Sequence, residues 1–384
     1  MENKYIVALL RAAINNTTPN NPPDNIDWKK IYTISAANSI AGTICPAIMR
    51  LPKECQPDKD TINLFSRSEM IAVCIDSMQE YELTSVMNSF EENHIIYTPL
   101  KGWFMKKLYP FPYMRTMCDV DILVNKSDLP IISNILKEHD FQYESHTNNH
   151  DGYIKSDKIS VEMHWNLFPE DVPYHDYFSD IMSKLIDADD KAYMKKLSKE
   201  DYYLHLIAHL AKHFDRSGTG IRSLVDIWLY NKKYRDTLDM NYLNLGLTEL
   251  GLSEFESTIY KAATQLFSGD IWDDTTLAIT NYVMSSGTYG TKDTYIVSAL
   301  NKKGGNKLSY LINRIFPDRT FMEMHFPILA KCPVLLPACW LARLFKCVFF
   351  RSTNVRNELS TLKNATSDGT LDENTKIKKM CGLN

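Results

Sequence analysis

The sequence predicts an α+β protein that is mostly helical, in which a small mixed β-sheet core is flanked by helical N- and C-terminal regions. Two observations lead to this fold class. Apolar residues recur at helical spacing before residue 92 and after residue 168, whereas short β-branched and aromatic runs alternate with period two between them. The predicted organisation is a helical region at 1–91, an α/β core at 92–168, a helical domain at 169–315, and an apolar helical segment with a polar tail at 316–384.

Composition places the chain among ordinary soluble proteins, with 44% hydrophobic and 23% charged residues in 384. A net charge of −4 provides no global basic surface, which disfavours non-specific nucleic-acid binding as the main task. The eight cysteines are scattered without a CxxC pair, which favours reduced thiols over disulfides or structural zinc. The N-terminus lacks a signal-peptide pattern. We therefore expect a cytoplasmic protein.

The N-terminal region is predicted as a series of helices, punctuated by the Asn- and Pro-rich stretch "NNTTPNNPPDN" at 15–25. The core then begins with "HIIYTPLKG" (94–102), whose β-branched and aromatic residues predict a strand. One or two helical turns are expected in "WFMKKLY", and the following "PFP" breaks them. Lys101 and Gly102 end the strand and open the short helix, where free N–H groups favour a phosphate and glycine permits its close approach.

Two aspartates stand in the next predicted strand, "RTMCDVDILV" (115–124). Because side chains alternate along a strand, Asp119 and Asp121 share one face while Val120, Ile122 and Val124 face a core. Like charges placed side by side raise each other's pKa unless a positive charge neutralises them. A divalent cation such as Mg²⁺ is the natural candidate, because it prefers oxygen ligands.

A helix is predicted in "KSDLPIISNILKEHD" (126–140), with Ser127 or Asp128 as its cap and Pro130 in its first turn. Two strand-like runs follow, "FQYESHTN" (141–148) and "KISVEMHWNL" (158–167). They are separated by the turn-rich "NHDGYIKSD" (149–157), so we expect them to form an antiparallel pair.

The last of these runs has an apolar and a polar face. Its apolar face comprises Ile159, Val161, Met163 and Trp165, and its polar face comprises Ser160, Glu162 and His164. If this strand lies beside the aspartate strand, three carboxylates converge, as a two-metal site for in-line displacement at phosphorus requires. The alternative is a solvated sheet edge without chemistry.

These segments together resemble a known superfamily. The stretch "TPLKGWFMKKLYPFPYMRTMCDVDILV" with "VEMHW" is similar to the nucleotidyltransferases that include DNA polymerase beta and the antibiotic nucleotidyltransferases, and most similar to a branch of uncharacterised nucleotidyltransferases. Three motifs of that branch are matched, and they comprise Leu100, Lys101 and Gly102; Tyr109, Pro110, Pro112, Arg115, Asp119 and Asp121; and Glu162, His164 and Trp165. Trp103 follows Gly102 where the wider superfamily usually has serine.

The resemblance implies an enzyme that moves NMP from an NTP to an acceptor hydroxyl or phosphate and releases pyrophosphate. It implies that Asp119, Asp121 and Glu162 are catalytic and ligate Mg²⁺ or Mn²⁺. The nucleotide- and phosphate-binding residues that it implies are Lys101, Gly102, Arg115 and His164. A surface salt bridge is the alternative role for Arg115.

The acceptor is left open among a small molecule, a sugar, a peptide and a protein, and nucleic acid is less favoured. A second function from a different class also stays open. The chain would then be a catalytically silent binding module that keeps the fold and acts in a biosynthetic or membrane-associated complex.

The helix predicted in "KEDYYLHLIAHLAKHF" (199–214) carries His205, His209 and His213 on one face. Helix packing, lining of a nucleotide cleft and metal ligation are three open roles for these histidines. Further along, Arg222 and Asp226 are spaced to pair with each other.

The most apolar stretch is "FPILAKCPVLLPACWLARLFKCVFF" (326–350), which is interrupted by Lys331, Arg343 and Lys346. It is interpreted as a buried or partner-facing helix, an interfacial membrane helix or a membrane span. It thus offers a peripheral membrane or protein contact. Past Ser352 the sequence turns polar, and we expect a terminal helix that frays into disorder.

Overall fold

The computed structural model describes residues 1–188, 191–269, 271–288, 290, 292–301, 307–326, 328–350 and 370–383. Most of these residues are helical, and a small mixed sheet follows the N-terminal helices, which confirms the predicted fold class. The polar tail predicted after Ser352 falls largely on residues 351–369, which lie outside the described residues.

The N-terminal region is helical, as predicted. Its helices are α1 (Glu2–Ile14), α2 (Trp28–Ala37), α3 (Ala41–Met49) and α4 (Lys59–Glu92). Asp27 caps α2 by accepting the N–H of Lys30 at 2.9 Å, and Asp58 caps α4 by accepting the N–H of Thr61 at 3.0 Å. The 34-residue α4 is the longest of the described helices, and its C-terminal half lies against the sheet.

The main sheet has five strands in the order β1-β2-β5-β4-β3. They are β1 (Tyr97–Pro99), β2 (Val120–Val124), β3 (Gln142–His146), β4 (His150–Ser156) and β5 (Ile159–His164). Strands β2 and β5 are parallel, and the other neighbouring pairs are antiparallel. A second, two-stranded sheet pairs β6 (Ile186–Asp187) with β7 (Lys195–Lys196).

The segment predicted as a turn at 149–157 is mostly strand β4, so the predicted direct pairing of β3 with β5 is wrong. Strand β4 lies between them. Gly152 suggested a turn, but it lies within β4, opposite Ser145 of β3. A Cβ atom at this position would come within 2.5 Å of the Ser145 hydroxyl on β3. The actual turns lie at the two ends of β4.

One face of the sheet forms the core with α4 and with α6 (Leu129–Glu138). The strand residues of this core include Val120, Ile122, Val124, Val161 and Met163, all at most 1% exposed. The predicted alternation of β2 and β5 is therefore confirmed, and Asp121 and Glu162 lie on the opposite face.

The remaining helices of the first half are short: α5 (Lys101–Met105) and α7 (His175–Phe178). The C-terminal half adds α8 (Lys199–Arg216), α9 (Arg222–Tyr234), α10 (Met240–Glu249), α11 (Ser253–Ser268), α12 (Asp274–Ser286), α13 (Lys292–Asn301), α14 (Lys307–Ile315), α15 (Arg319–His325), α16 (Ile328–Lys331), α17 (Leu336–Phe350) and α18 (Thr370–Met380).

The chain forms two compact units. The first comprises Met1–Lys212 and Gly220–Thr288, and the second comprises His213–Thr219 and Tyr289–Asn384. Within the second unit, Met322, Leu329 and Cys339 form a small core that joins α15, α16 and α17. In the part of the chain that the structure describes, no helix is both long and apolar enough to cross a membrane. The role of 326–350 stays a prediction.

Candidate functional site

Two carboxylates face the same side of the sheet from neighbouring strands. In the parallel pairing of β2 with β5, Asp121 is the register partner of Glu162. Asp119 immediately precedes β2, two residues before Asp121, so the alternation that predicted a common side also holds here. The strands thus place the three predicted acidic residues on the same side of the sheet although about forty positions separate Glu162 from the aspartates. Neither aspartate belongs to the described group of metal-ligating side chains within 4.8 Å of one another, which contains Glu162.

The pKa values of the aspartates reflect this crowding. Although Asp119 keeps an exposed surface, desolvation by the surrounding protein and then repulsion from Asp121 and Glu162 raise its pKa to about 6. Burial opposes ionisation of Asp121 as well. The positive charge of Lys101 and the hydrogen bond from His164 outweigh it and hold the pKa of Asp121 well below its usual range.

Lys101 brings a positive charge to these acids. Its Nζ lies 3.2 Å from Oδ2 of Asp121, and both side chains are largely buried. The backbone around it is held on two sides, because Leu100 donates its N–H to the Asp121 carbonyl at 2.9 Å and the Tyr202 hydroxyl donates to the Lys101 carbonyl at 2.7 Å. Lys101 has a φ of +34°, which non-glycine residues adopt only under strain. The surrounding contacts therefore hold this lysine beside Asp121.

His164 joins the two strands through their carboxylates. Its Nε2 lies 2.8 Å from Oδ1 of Asp121 and 3.1 Å from Oε2 of Glu162, and the side chain is 7% exposed. On the other side of the ring, Nδ1 lies 3.3 Å from the side-chain nitrogen of Asn149. The sequence predicted His164 as a nucleotide-binding residue, and this role stays a prediction. The structure places it as a link between Asp121 and Glu162.

His150 is a site residue that the sequence reasoning missed. Its Nε2 lies 3.5 Å from Oε1 of Glu162, and its ring centroid lies 4.7 Å from that of His164. Burial is the main cause that lowers the pKa of the His150 imidazole, and the neighbouring His164 adds to it. His150 belongs to the segment "NHDG", which was predicted as a turn because Asn, Asp and Gly favour turns. In the structure this segment begins strand β4, and the side chain of His150 faces Glu162.

Arg115 takes the ion-pair alternative in the structure. Its Nη2 donates to Oδ2 of Asp226 at 2.9 Å, and its Nε lies 3.2 Å from both oxygens of the same carboxylate. The Tyr109 hydroxyl donates to Asp226 as well, at 2.7 Å. The pair is buried, whereas the alternative role predicted for Arg115 was a salt bridge at the surface. The sequence spacing had also predicted that Asp226 pairs with Arg222. Arg222 instead donates to the backbone oxygen of Thr116 at 2.6 Å.

Gly102 is enclosed by side chains. A Cβ atom at this position would come within 2.4 Å of the Met117 sulfur and 2.7 Å of Nη1 of Arg115. Close packing thus provides a physical reason for glycine here that does not involve a phosphate. Phosphate binding by Lys101, Gly102 and Arg115 stays a prediction.

The histidines of α8 differ in environment. His205 is 1% exposed, and its ring packs against Phe168 and Phe178 at centroid distances of 5.6 and 6.0 Å. Burial lowers the pKa of His205 well below its usual range. Helix packing is therefore its role in the structure. Among the described residues, the group of metal-ligating side chains within mutual reach consists of His150, Glu162 and His164, and no histidine of α8 belongs to it.

Comparison with protein families finds a match over most of the chain. A family model described as uncharacterised nucleotidyltransferase matches residues 24–268, which include all of the candidate site residues. No curated protein and no solved structure gives a significant match to the chain.

Proposed function

Because the chain belongs to the family of uncharacterised nucleotidyltransferases, we propose that it transfers NMP from an NTP to an acceptor hydroxyl or phosphate, releasing pyrophosphate, with Mg²⁺ or Mn²⁺ as cofactor. The observation that carries this proposal is the convergence of Asp119, Asp121 and Glu162 on one face of the sheet, with Asp121 and Glu162 in register on adjacent parallel strands.

The donor set suits divalent cations that bind oxygen. The crowded carboxylates repel each other, as the raised pKa of Asp119 indicates, and one lysine offsets only part of their charge. We assign Asp119 and Asp121 as ligands, with Glu162 as the third ligand or as the base. A bound ion would supply Lewis-acid polarisation of the α-phosphate and would favour deprotonation of the acceptor.

The chain's own residues then have distinct tasks. Lys101 pairs with the charge of Asp121 in the structure. We propose that a cation bound to Asp121 would replace this ion pair and leave Lys101 to contact the nucleotide phosphates. Glu162 is either a metal ligand or the base that removes the proton of the acceptor hydroxyl. The acceptor oxygen forms a bond to the α-phosphorus while the bond to the leaving pyrophosphate breaks, and the acceptor proton passes to a carboxylate of the site.

The partners follow from this reaction. An NTP is the donor, and a small molecule, a sugar, a peptide or a protein is the acceptor. The cytoplasm is the proposed location, because the eight cysteines are scattered without a CxxC pair or the dense spacing of a disulfide framework, as suits a reducing compartment.

The test is incubation of the purified protein with each α-labelled NTP, with Mg²⁺ or Mn²⁺, alone and with cell extract, followed by a search for the labelled acceptor. We expect transfer that Asp119→Asn abolishes. The matched control is Asp140→Asn, because Asp140 is 87% exposed and its positive φ of 64° suits asparagine. Failure of every NTP to bind or react with either ion would refute the proposal.

One observation favours the alternative of a catalytically silent binding module. Arg115, which the resemblance implies as a phosphate ligand, is engaged by Asp226. Binding measurements with and without divalent metal separate the two functions. NTP that binds tightly only with the metal supports the enzyme, whereas a partner that binds equally well without the metal supports the silent module.

A further inference from the structure

Three side chains with metal-ligating atoms lie together on the face of the sheet opposite the core. His150 comes from β4, and Glu162 and His164 come from β5, where His164 is the register partner of His150. Their ligand atoms all lie within 4.8 Å of one another. The hydrogen-bond partners of each imidazole nitrogen decide which of the two histidines is able to bind an ion.

The first histidine, His164, has no free nitrogen. The side-chain nitrogen of Asn149 lies 3.2 Å from the carbonyl oxygen of Asn166, which can only accept, and 3.3 Å from Nδ1 of His164. Nδ1 therefore accepts a hydrogen bond from Asn149, and Nε2 carries a proton. That Nε2–H donates to Asp121 and Glu162. His164 is thus a positioning residue that holds two carboxylates, and Asn149 sets its tautomer.

The second histidine, His150, presents its Nε2 to Glu162. Its Nδ1 lies 3.0 Å from the Thr147 hydroxyl, which accepts the backbone N–H of His150 at 3.1 Å and can donate to the side-chain oxygen of Asn149, to the carbonyl oxygen of His150 or to Nδ1. Nε2 of His150 lies 3.5 Å from Oε1 of Glu162, which is long for a hydrogen bond. The two ligand atoms therefore face each other at a spacing that one cation can bridge.

We propose that His150 and Glu162 together ligate one divalent ion, and that the imidazole nitrogen makes this position prefer Mn²⁺ to Mg²⁺. Mg²⁺ retains water and oxygen ligands. Mn²⁺ also favours oxygen, but it belongs to the first-row series of divalent ions that bind mixed nitrogen and oxygen sites, so one imidazole among carboxylates disfavours it less than Mg²⁺. Oε1 is available because His164 holds the other oxygen of Glu162. This inference rests on the proposed function for its catalytic meaning, but the binding of Mn²⁺ does not depend on any acceptor.

The test uses the full-length protein and the metal alone. Mn²⁺ affinity is measured from the electron paramagnetic resonance signal of the free ion, and Mg²⁺ affinity by its competition with Mn²⁺. We expect His150→Gln to weaken Mn²⁺ binding at least about tenfold, as the loss of a metal-ligand contact does, and to leave Mg²⁺ binding nearly unchanged. Spin-echo modulation of bound Mn²⁺ should detect an imidazole nitrogen in the wild type and lose it in His150→Gln.

Two further variants keep the result interpretable. His164→Gln should weaken both ions to a similar extent and should retain the imidazole signal, because it loosens Asp121 and Glu162 without removing a ligand. His146→Gln is the matched control, because His146 is 63% exposed and pairs with Asp151 on the neighbouring strand. An imidazole signal that disappears only in His164→Gln, or equal losses of both ions in His150→Gln, would overturn the proposal.

The outcome is also separable from that of the proposed function. If the nitrogen signal of His150 is present but no NTP is ever used, the transferase proposal fails and the metal site stands. If transfer proceeds and His150→Gln leaves Mn²⁺ binding unchanged, the metal inference alone fails.

Discussion

Replacement of Arg115 by methionine separates a structural role of this residue from a phosphate-binding role. Arg115 is 12% exposed and Asp226 is 5% exposed, and three nitrogen–oxygen distances of 2.9–3.2 Å join them. Methionine preserves most of the side-chain volume but leaves Asp226 with the hydrogen bond from Tyr109 and without its guanidinium. A buried carboxylate would then lack its main counter-charge.

The expected cost is about 3–5 kcal/mol in the free energy of unfolding, as for other buried pairs that lose one partner. The double variant Arg115→Met/Asp226→Asn should recover at least about half of this loss, because the remaining amide carries no charge and still accepts from Tyr109. Lys261→Met is the matched control, since the Lys261–Asp273 pair has a lysine that is 65% exposed, and it should change stability by less than about 1 kcal/mol.

Urea unfolding followed by circular dichroism measures these changes as shifts of the midpoint at constant slope. The NTP affinity of each folded variant is measured in parallel. An unchanged unfolding midpoint in Arg115→Met together with lost NTP affinity would refute the structural reasoning and would return Arg115 to the phosphate site.

Three other predictions concern the core, the site and the response to pH. Val120→Asp should cost several kcal/mol or prevent folding, because Val120 is 1% exposed in the sheet core; a wild-type melting curve would contradict this. Glu162→Gln should lower kcat by about a hundredfold or more with little change in KM, because the lost interaction acts mainly in the transition state; steady-state kinetics measures it, and an unchanged kcat would exclude the role. Burial lowers the pKa of His205 in the folded protein, so below about pH 6.5 the imidazole is protonated in the unfolded chain but not in the folded one. The free energy of unfolding should therefore fall as the pH drops below about 6.5. The unfolding midpoint of His205→Leu should therefore fall less at low pH than that of the wild type when both are measured over a pH series. Identical pH profiles of the two proteins would show that His205 does not contribute.

The site was predictable where the information is local. Alternation along "CDVDILV" placed Val120, Ile122 and Val124 in the core and the two aspartates on the other side, and the structure confirms the buried face. The same alternation in "ISVEMH" placed Glu162 opposite Met163. The neighbouring position of β2 and β5 was an assumption of the sequence reading, and the register of Asp121 with Glu162 bears it out.

The site was unpredictable where a partner lies far away in the chain. Arg115 and Asp226 are 111 positions apart, and no local pattern links them. Gly102 suggested a phosphate contact, yet the neighbours of its missing Cβ are Met117 and Arg115. His150 was hidden because Asn, Asp and Gly favour turns in isolation, whereas pairing with strands on both sides keeps 150–156 extended.

The sequence by itself determined the helical and extended segments and the side on which each strand side chain lies, because backbone geometry repeats every 3.6 or every two residues and needs no distant contact. Only the tertiary structure decided that β4 separates β3 from β5, that Asp226 engages Arg115, and that His150 faces Glu162. These outcomes depend on which surfaces the folded chain brings within a few ångströms of each other. Burial of the core face and pairing of buried charges select that arrangement, and both are properties of the whole fold.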